Sequence, residues 1–430
     1  MSTNFSEIPI LDLSLADDPS TKQQLLKELR HILLNIGFLY VKNHGVSTDV
    51  IDALVKVLPN LFDIPKREKD SIALEKSPHF LGYSGMGAEK TAQVSDQREQ
   101  FEFATELESS WVEGDPLYKR LLGPNQWPPS LPLICPVIEK YIQSLLELST
   151  RFLTLVAEAL NISSSSLHTF LSPQHRLKVV HYSPIISPGD NQGVGPHKDS
   201  SGWWTFLLQA SPPHIRGLQA MNRSGAWIDV PNIPGTFVVN IGQAFEVATN
   251  GVCPATIHRV LSSEYDRYSI PFFQGVRGDA TKKDFEALWP QLKRQGRKES
   301  KEGQSIDSPF LSGKYDTWGE SQLRTKVRSH RDAGKKFYGP VYEKYINDSP
   351  ALDNTDTATQ LIGYLNNPSQ NGRLTIGAWP ANTRYTALRK QVHFGIAYLA
   401  PSDLTKPTDP LSIDLGEVTA ALELLGSSCV

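Results

Sequence analysis

The sequence predicts a mixed α and β protein built on a double-stranded β-helix (jelly-roll) core, with a helical N-terminal region before it and C-terminal helices after it. Three observations carry that expectation. Between Arg176 and Val276, short β-type runs follow one another: Leu177–Tyr182, Trp203–Gln209, Gly217–Met221, Ala226–Val230, Thr236–Ile241, Thr256–Leu261 and Arg267–Gln274. Turn-forming pairs such as Ser224-Gly225, Pro234-Gly235 and Asn250-Gly251 separate them, as in a sandwich or barrel. Upstream, apolar residues recur at helical spacing, and downstream of residue 280 a polar, helical texture returns.

Taken in order, Thr21–Ile36 places Leu25, Leu29, Ile32, Leu33 and Ile36 on one face and stops at Gly37. Gly37 to Gly45 is a short β-type run closed by the turn-forming Asn43-His44-Gly45. Thr48–Phe62 is amphipathic and ends before Pro65. The longest helical stretch, Cys135–Leu160, aligns Leu145, Leu148, Phe152, Leu155 and Ala159, a stripe suited to bracing a sheet. The chain therefore divides into a helical N-terminal region (1–170), the jelly-roll core (171–280), C-terminal helices that could act as a lid (281–348) and an appendage (349–430). Apolar pieces in the appendage are short and broken by Pro401, Pro407 and Pro410. So little periodic apolar surface cannot easily offset chain entropy, which predicts a loosely packed segment without metal ligands. The rival reading makes Leu415–Leu425 a docking helix.

The 430 residues carry a formal net charge of -3, with 21% charged and 39% hydrophobic residues. That balance gives no electrostatic reason for nucleic acid or an anionic membrane as partner. Three cysteines without short spacing exclude a disulfide scaffold and a Cys-rich zinc site, and suit a reducing compartment. No apolar stretch reaches the roughly 18 residues of a membrane span. The expectation is a cytoplasmic protein, monomeric or weakly oligomeric, that acts on a small molecule.

The chemistry lies in Gly195-Pro-His-Lys-Asp199 and Ile257-His258-Arg259. Residues at i and i+2 of an extended chain point the same way, so His197 and Asp199 can reach one metal. A jelly roll can bring His258, in a later run, alongside. Two imidazoles and one carboxylate leave positions open, the pattern of non-haem iron(II) oxygenases, whereas zinc prefers a tetrahedral site with a single open position. Arg267 and Ser269 again share a face. Guanidinium and hydroxyl together suit the far carboxylate of a dicarboxylate.

Several ordered segments together carry a resemblance. They are Ile8-Pro-Ile-Leu-Asp12, Gly217-Leu-Gln-Ala, Trp227-Ile-Asp-Val-Pro, Pro234-Gly-Thr-Phe-Val-Val-Asn-Ile-Gly242, His258-Arg-Val and Arg267-Tyr-Ser-Ile-Pro-Phe-Phe273. Across roughly residues 7–278 the chain resembles the isopenicillin N synthase-like branch of the iron(II)/2-oxoglutarate-dependent oxygenases. The resemblance implies Fe(II) held by His197, Asp199 and His258. It also implies 2-oxoglutarate as cosubstrate, contacted by Arg267, Ser269 and Tyr182, with O2 as oxidant and Phe273 in the substrate pocket. It implies oxidation of an unactivated C–H bond of a small organic substrate in secondary metabolism. Two alternatives stay open: an iron oxidase of the same fold that does not use 2-oxoglutarate, and a non-catalytic jelly-roll binding protein. Departures are Lys198 inside His-x-Asp, Val180 in place of an Asn that assists the cosubstrate, Gln243 in place of an Asp, and Gly275 in place of an acid.

Overall fold

The structure is a computed structural model that describes residues 5–91, 94–184, 192–293, 308, 310–348, 373–375 and 412–414. The chain divides into two compact units, Met1–Asp348 and Ser349–Val430.

In the first unit, β1 (Ile10–Asp12) pairs in parallel with β2 (Phe38–Lys42), and α1 (Pro19–Asn35) connects them. Asp18 caps α1 by accepting from the Ser20 N–H, and Pro19 opens the first turn without losing a hydrogen bond. Gly37 ends the helix with φ +71, and a Cβ there would stand 2.3 Å from the Pro254 carbonyl oxygen, so no other residue fits. Next come α2 (Thr48–Phe62), α3 (Lys66–Ser71), β3 (Gly82–Ser84), the small hairpin β4 (Lys90–Thr91) and β5 (Val94–Ser95), then β6 (Glu99–Ala104), α4 (Ile134–Ala159) and α5 (Ser164–His168).

The sequence reads this region as mostly helix; in the structure β1, β2, β3 and β6 all join the main sheet. Strand β6 escaped notice because its inward positions, Gln100 and Glu102, are polar while Phe101 and Phe103 face the core. Alternation was present, but its buried inner face is charged rather than apolar.

The jelly roll follows with β7 (Arg176–Tyr182), β8 (Gln192–His197), β9 (Trp204–Gln209), β10 (Leu218–Met221), β11 (Trp227–Asp229), β12 (Thr236–Ile241), α6 (Gln243–Ala248), β13 (His258–Leu261) and β14 (Arg267–Phe273). Each β-type run expected between Leu177 and Gln274 is a strand here. Strand β8 is additional; its glycines and proline hid it. The larger sheet has the order β1-β2-β12-β9-β14-β7-β6-β3 and the smaller β11-β10-β13-β8. Helix α4 braces the outer face of the larger sheet, with Phe152 edge-on to Trp204 and Phe206 at 5.3 and 5.5 Å between ring centroids. Alternation predicts that only one of Trp203 and Trp204 packs in the core, but both are buried. Trp203 precedes β9, so the strand period does not govern it, and it packs against Phe170, Phe245 and Phe285.

The C-terminal helices are α7 (Lys282–Glu286), α8 (Trp289–Lys293), α9 (Trp318–Ser329), α10 (Arg331–Phe337) and α11 (Gly339–Ile346). Helix α9 touches the loop after β8: Gln322 Nε2 donates to the Ser200 carbonyl at 2.8 Å. Asp348 closes the unit, accepting from Arg324 Nε at 2.8 Å and from the Tyr315 hydroxyl. No helix among the described residues is long and apolar enough to cross a membrane.

In the second unit, β15 (Arg373–Thr375) and β16 (Ser412–Asp414) pair antiparallel. The β-like His393–Leu399 and the helical Leu415–Leu425 expected from sequence lie outside the described residues. A chain ended after Asp348 keeps the anchor of the first unit and is expected to retain iron content and turnover. Metal analysis and an activity assay check this; an insoluble or inactive product contradicts it.

Candidate metal centre

Residues paired across antiparallel strands share a face, which fixes what lines the interior of the jelly roll. On the larger sheet the inward residues include Phe38 and Asn240, then Thr205, Phe273 and Arg176. One pleat along lie Leu207 and Pro271, and the next holds Gln209, Ser269, Val180 and Gln100. Arg267 and Tyr182 form the last pair. The smaller sheet faces this floor through His197 and His258, which stand directly opposite each other on β8 and β13.

The side chains of His197, Asp199 and His258 each offer a ligand atom, and these atoms all lie within 4.8 Å of one another. His197 Nε2 and His258 Nε2 are each 3.7 Å from Asp199 Oδ1. Both rings are oriented from behind. His197 Nδ1–H donates to the Gly195 carbonyl at 2.7 Å, and His258 Nδ1–H donates to the Thr256 carbonyl at 3.1 Å. A carbonyl only accepts, so each Nδ1 carries a proton and Nε2 is the ring nitrogen turned toward a metal. Phe38 packs against the His258 ring at 5.7 Å.

Asp199 lies two residues past the end of β8, where its backbone carbonyl accepts from the Gln243 N–H at 2.8 Å. Its Oδ2 accepts from Thr205 Oγ1 at 2.5 Å and from Asn240 Nδ2 at 2.8 Å, which leaves Oδ1 turned to the histidines. Burial alone would raise its pKa, but the adjacent His258 and His197 outweigh that and hold the carboxylate well below its usual range. One carboxylate oxygen and two imidazole Nε2 atoms, converging within 4.8 Å, would fill three positions of an octahedral ion and leave the rest open.

The distal end also fits its expected guest. Arg267 is buried, lies with its guanidinium 5.0 Å from the Tyr182 ring centroid, and donates from Nη2 to Gln209 Oε1 at 3.3 Å. Its Nη1 is buried without a partner. A buried guanidinium nitrogen left unpaired is costly unless an acceptor arrives, and a carboxylate is the best acceptor. Ser269 is buried on the same face, one pair away. Phe273 is half-buried beside Thr205 on the inward face.

Sequence reasoning named all these residues but missed those that hold them: Thr205, Asn240 and Gln209. Asn240 left a signal, a polar side chain inside the apolar run Phe237-Val-Val-Asn-Ile241. Two of the departures, Lys198 and Gly275, have local explanations. Lys198 turns to Glu246 on α6, with Nζ–O distances of 2.8 and 2.9 Å. At Gly275 a Cβ would stand 2.8 Å from the Gln174 carbonyl oxygen, so an acid cannot be placed without moving backbone.

Two family models match the chain. One, described as the N-terminal part of non-haem dioxygenases in morphine synthesis, covers residues 8–130; the other, the 2OG-Fe(II) oxygenase superfamily, covers residues 173–276. The 2-oxoglutarate-dependent dioxygenase frbJ of Dothideomycetidae sp. (strain 11243) is 42% identical over 348 residues, 78% of this chain and 92% of its own. The homoarginine-6-hydroxylase 2-ODD-C23 of Glycine max is 30% identical, over 73% of this chain and 98% of its own. The crystal structure of a 2OG-Fe(II) oxygenase family protein from Caulobacter crescentus is similar at TM-score 0.56 and 25% identity, over 65% of this chain and 91% of that one.

Proposed function

The chain belongs to the 2OG-Fe(II) oxygenase superfamily, and from that premise we propose that His197, Asp199 and His258 hold the iron of a 2-oxoglutarate-dependent dioxygenase. The observation that carries the assignment is the convergence of those three ligand atoms within 4.8 Å, each braced from behind. Arg267 and Ser269, with Tyr182 beside them, receive the far carboxylate of 2-oxoglutarate. The unpartnered Arg267 Nη1 supports that role.

Bound iron(II), with 2-oxoglutarate and O2, supplies the oxidising power for C–H cleavage, and the cosubstrate leaves as succinate and CO2. The protein's share is placement. The Gly195 and Thr256 carbonyls, each accepting from an Nδ1–H, turn both Nε2 atoms toward the metal position. Thr205 and Asn240 hold one Asp199 oxygen so that the other stays aimed. Arg267 fixes one end of the cosubstrate, while Phe38 and Phe273 keep water from the reacting face. Helix α9 abuts this region, and its Gln322 anchors it to the loop that carries Asp199.

The substrate is a small polar molecule, in keeping with the homoarginine-6-hydroxylase relative, and hydroxylation in secondary metabolism is the outcome. We place the enzyme in the cytoplasm, as a monomer or weak oligomer without nucleic acid or membrane partners. The test is incubation with Fe(II), 2-oxoglutarate, O2 and a panel of amino acids that includes homoarginine. A product one oxygen atom heavier, with one succinate formed per product, is expected. Oxidised product without succinate would move the enzyme to the oxidase reading.

A further inference from the structure

The inner face of β6 and β7 carries a buried charge cluster that none of the roles above uses. Lys178 and Glu102 stand opposite each other, on a pleat between the Thr205 row that holds Asp199 and the Ser269 row. Lys178 is separated from Leu207 by β14, two strand spacings or roughly 10 Å across the floor. Helix α9 reaches the same place from the other side. Its Gln322 holds the Ser200 carbonyl beside Asp199, and one turn later Lys326 donates to Glu102.

The charges do not balance. Glu102 also binds Arg176 at 3.1 Å, Glu89 binds Lys178 at 2.9 and 3.0 Å, and Arg98 joins Glu89 and Asp96 at 2.8 and 2.9 Å. Four cations thus face three carboxylates. His330 adds no charge, since burial pushes it down to about 4. Burial, with Arg176 and Lys178 close by, pushes Lys326 down to about 8. An ammonium has three donors, yet among the described residues Lys326 makes one hydrogen bond and Lys178 turns both of its bonds to Glu89. Gln100 Oε1 and Glu102 Oε2 are buried without a partner in residues only 1% exposed. Buried cations in excess, converging from a sheet and a helix, are disfavoured until an anion lies between them.

We propose that Lys178 and Lys326 form the substrate-recognition subsite, and that the substrate carries a carboxylate held between them. The unpartnered oxygens of Gln100 and Glu102 offer acceptors for a hydroxyl or ammonium beside that carboxylate. This proposal rests on the oxygenase reading of the same site.

The test uses the full chain, loaded anaerobically with Fe(II) and 2-oxoglutarate and titrated with matched pairs: hexanoate and hexanamide, 6-aminohexanoate and 6-aminohexanamide, L-lysine and L-lysinamide. At least one acid is expected to bind, with its amide at least tenfold weaker. Lys326→Met and Lys178→Met each lower acid affinity at least tenfold, leave 2-oxoglutarate affinity within twofold, and Lys326→Arg restores most of the loss. Equal binding of acids and amides, binding of no acid, or wild-type acid affinity in both Met variants overturns the subsite. If both variants lose 2-oxoglutarate binding through misfolding, the acid–amide comparison in the wild type decides. Failure of the wild type to bind 2-oxoglutarate instead sinks the oxygenase reading, and the subsite with it.

Discussion

Turnover is expected to vanish in His197→Ala, Asp199→Ala and His258→Ala, while the fold survives. Each change removes one of the three proposed protein ligands, and no other carboxylate or imidazole in the described part of the chain joins that group. The imidazoles cannot be replaced by their neighbours, because the Gly195 and Thr256 carbonyls only orient the rings. Asp199→Ala also strips the acceptor from Thr205 and Asn240, so it should disturb the site most. Stability holds because the principal core lies elsewhere, under α4 on the outer face of the larger sheet. Iron content by metal analysis, beside an unchanged circular dichroism spectrum, checks this. Iron at wild-type stoichiometry in all three variants would remove the ligand assignment.

The second large effect falls on the cosubstrate. Arg267→Ala should raise the 2-oxoglutarate requirement about ten- to more than hundredfold, since losing a charge-assisted carboxylate pair costs on the order of 1.5–3 kcal/mol. The guanidinium is held ready by Gln209 on one nitrogen and by the Tyr182 ring beneath it, with Nη1 unspent. Arg267→Lys should recover only part of the loss, because an ammonium lacks the planar fork. Activity measured against 2-oxoglutarate concentration reads the change directly. An unchanged dependence in Arg267→Ala contradicts the assignment.

How much of this was legible beforehand follows from where burial and pattern agree. Helix α2 and strand β12 match their expected bounds residue for residue, because apolar periodicity and core-facing side chains coincide there. Strand β6 was not legible: its inward positions are Gln100 and Glu102, buried as part of a charged cluster instead of an apolar face. Strand β8 was hidden by Gly193, Gly195 and Pro196, although it delivers His197. The three ligand residues could be read because an i, i+2 pair and a later His carry local spacing. Thr205 and Gln209 could not, since what makes them important is register between strands far apart in sequence; Asn240 left only its polar side chain in an apolar run. The same holds for Lys326, whose partner Glu102 lies on β6, far earlier in the chain.

The most direct test of the central claim is release of labelled CO2 from 2-oxoglutarate carrying a radioactive carbon at its keto-acid carboxylate. The purified full chain should release it only when Fe(II) and O2 are both supplied, with none released by Asp199→Ala under the same conditions. Release that continues in Asp199→Ala, or its absence in the iron-loaded wild type across the substrate panel, would contradict the account.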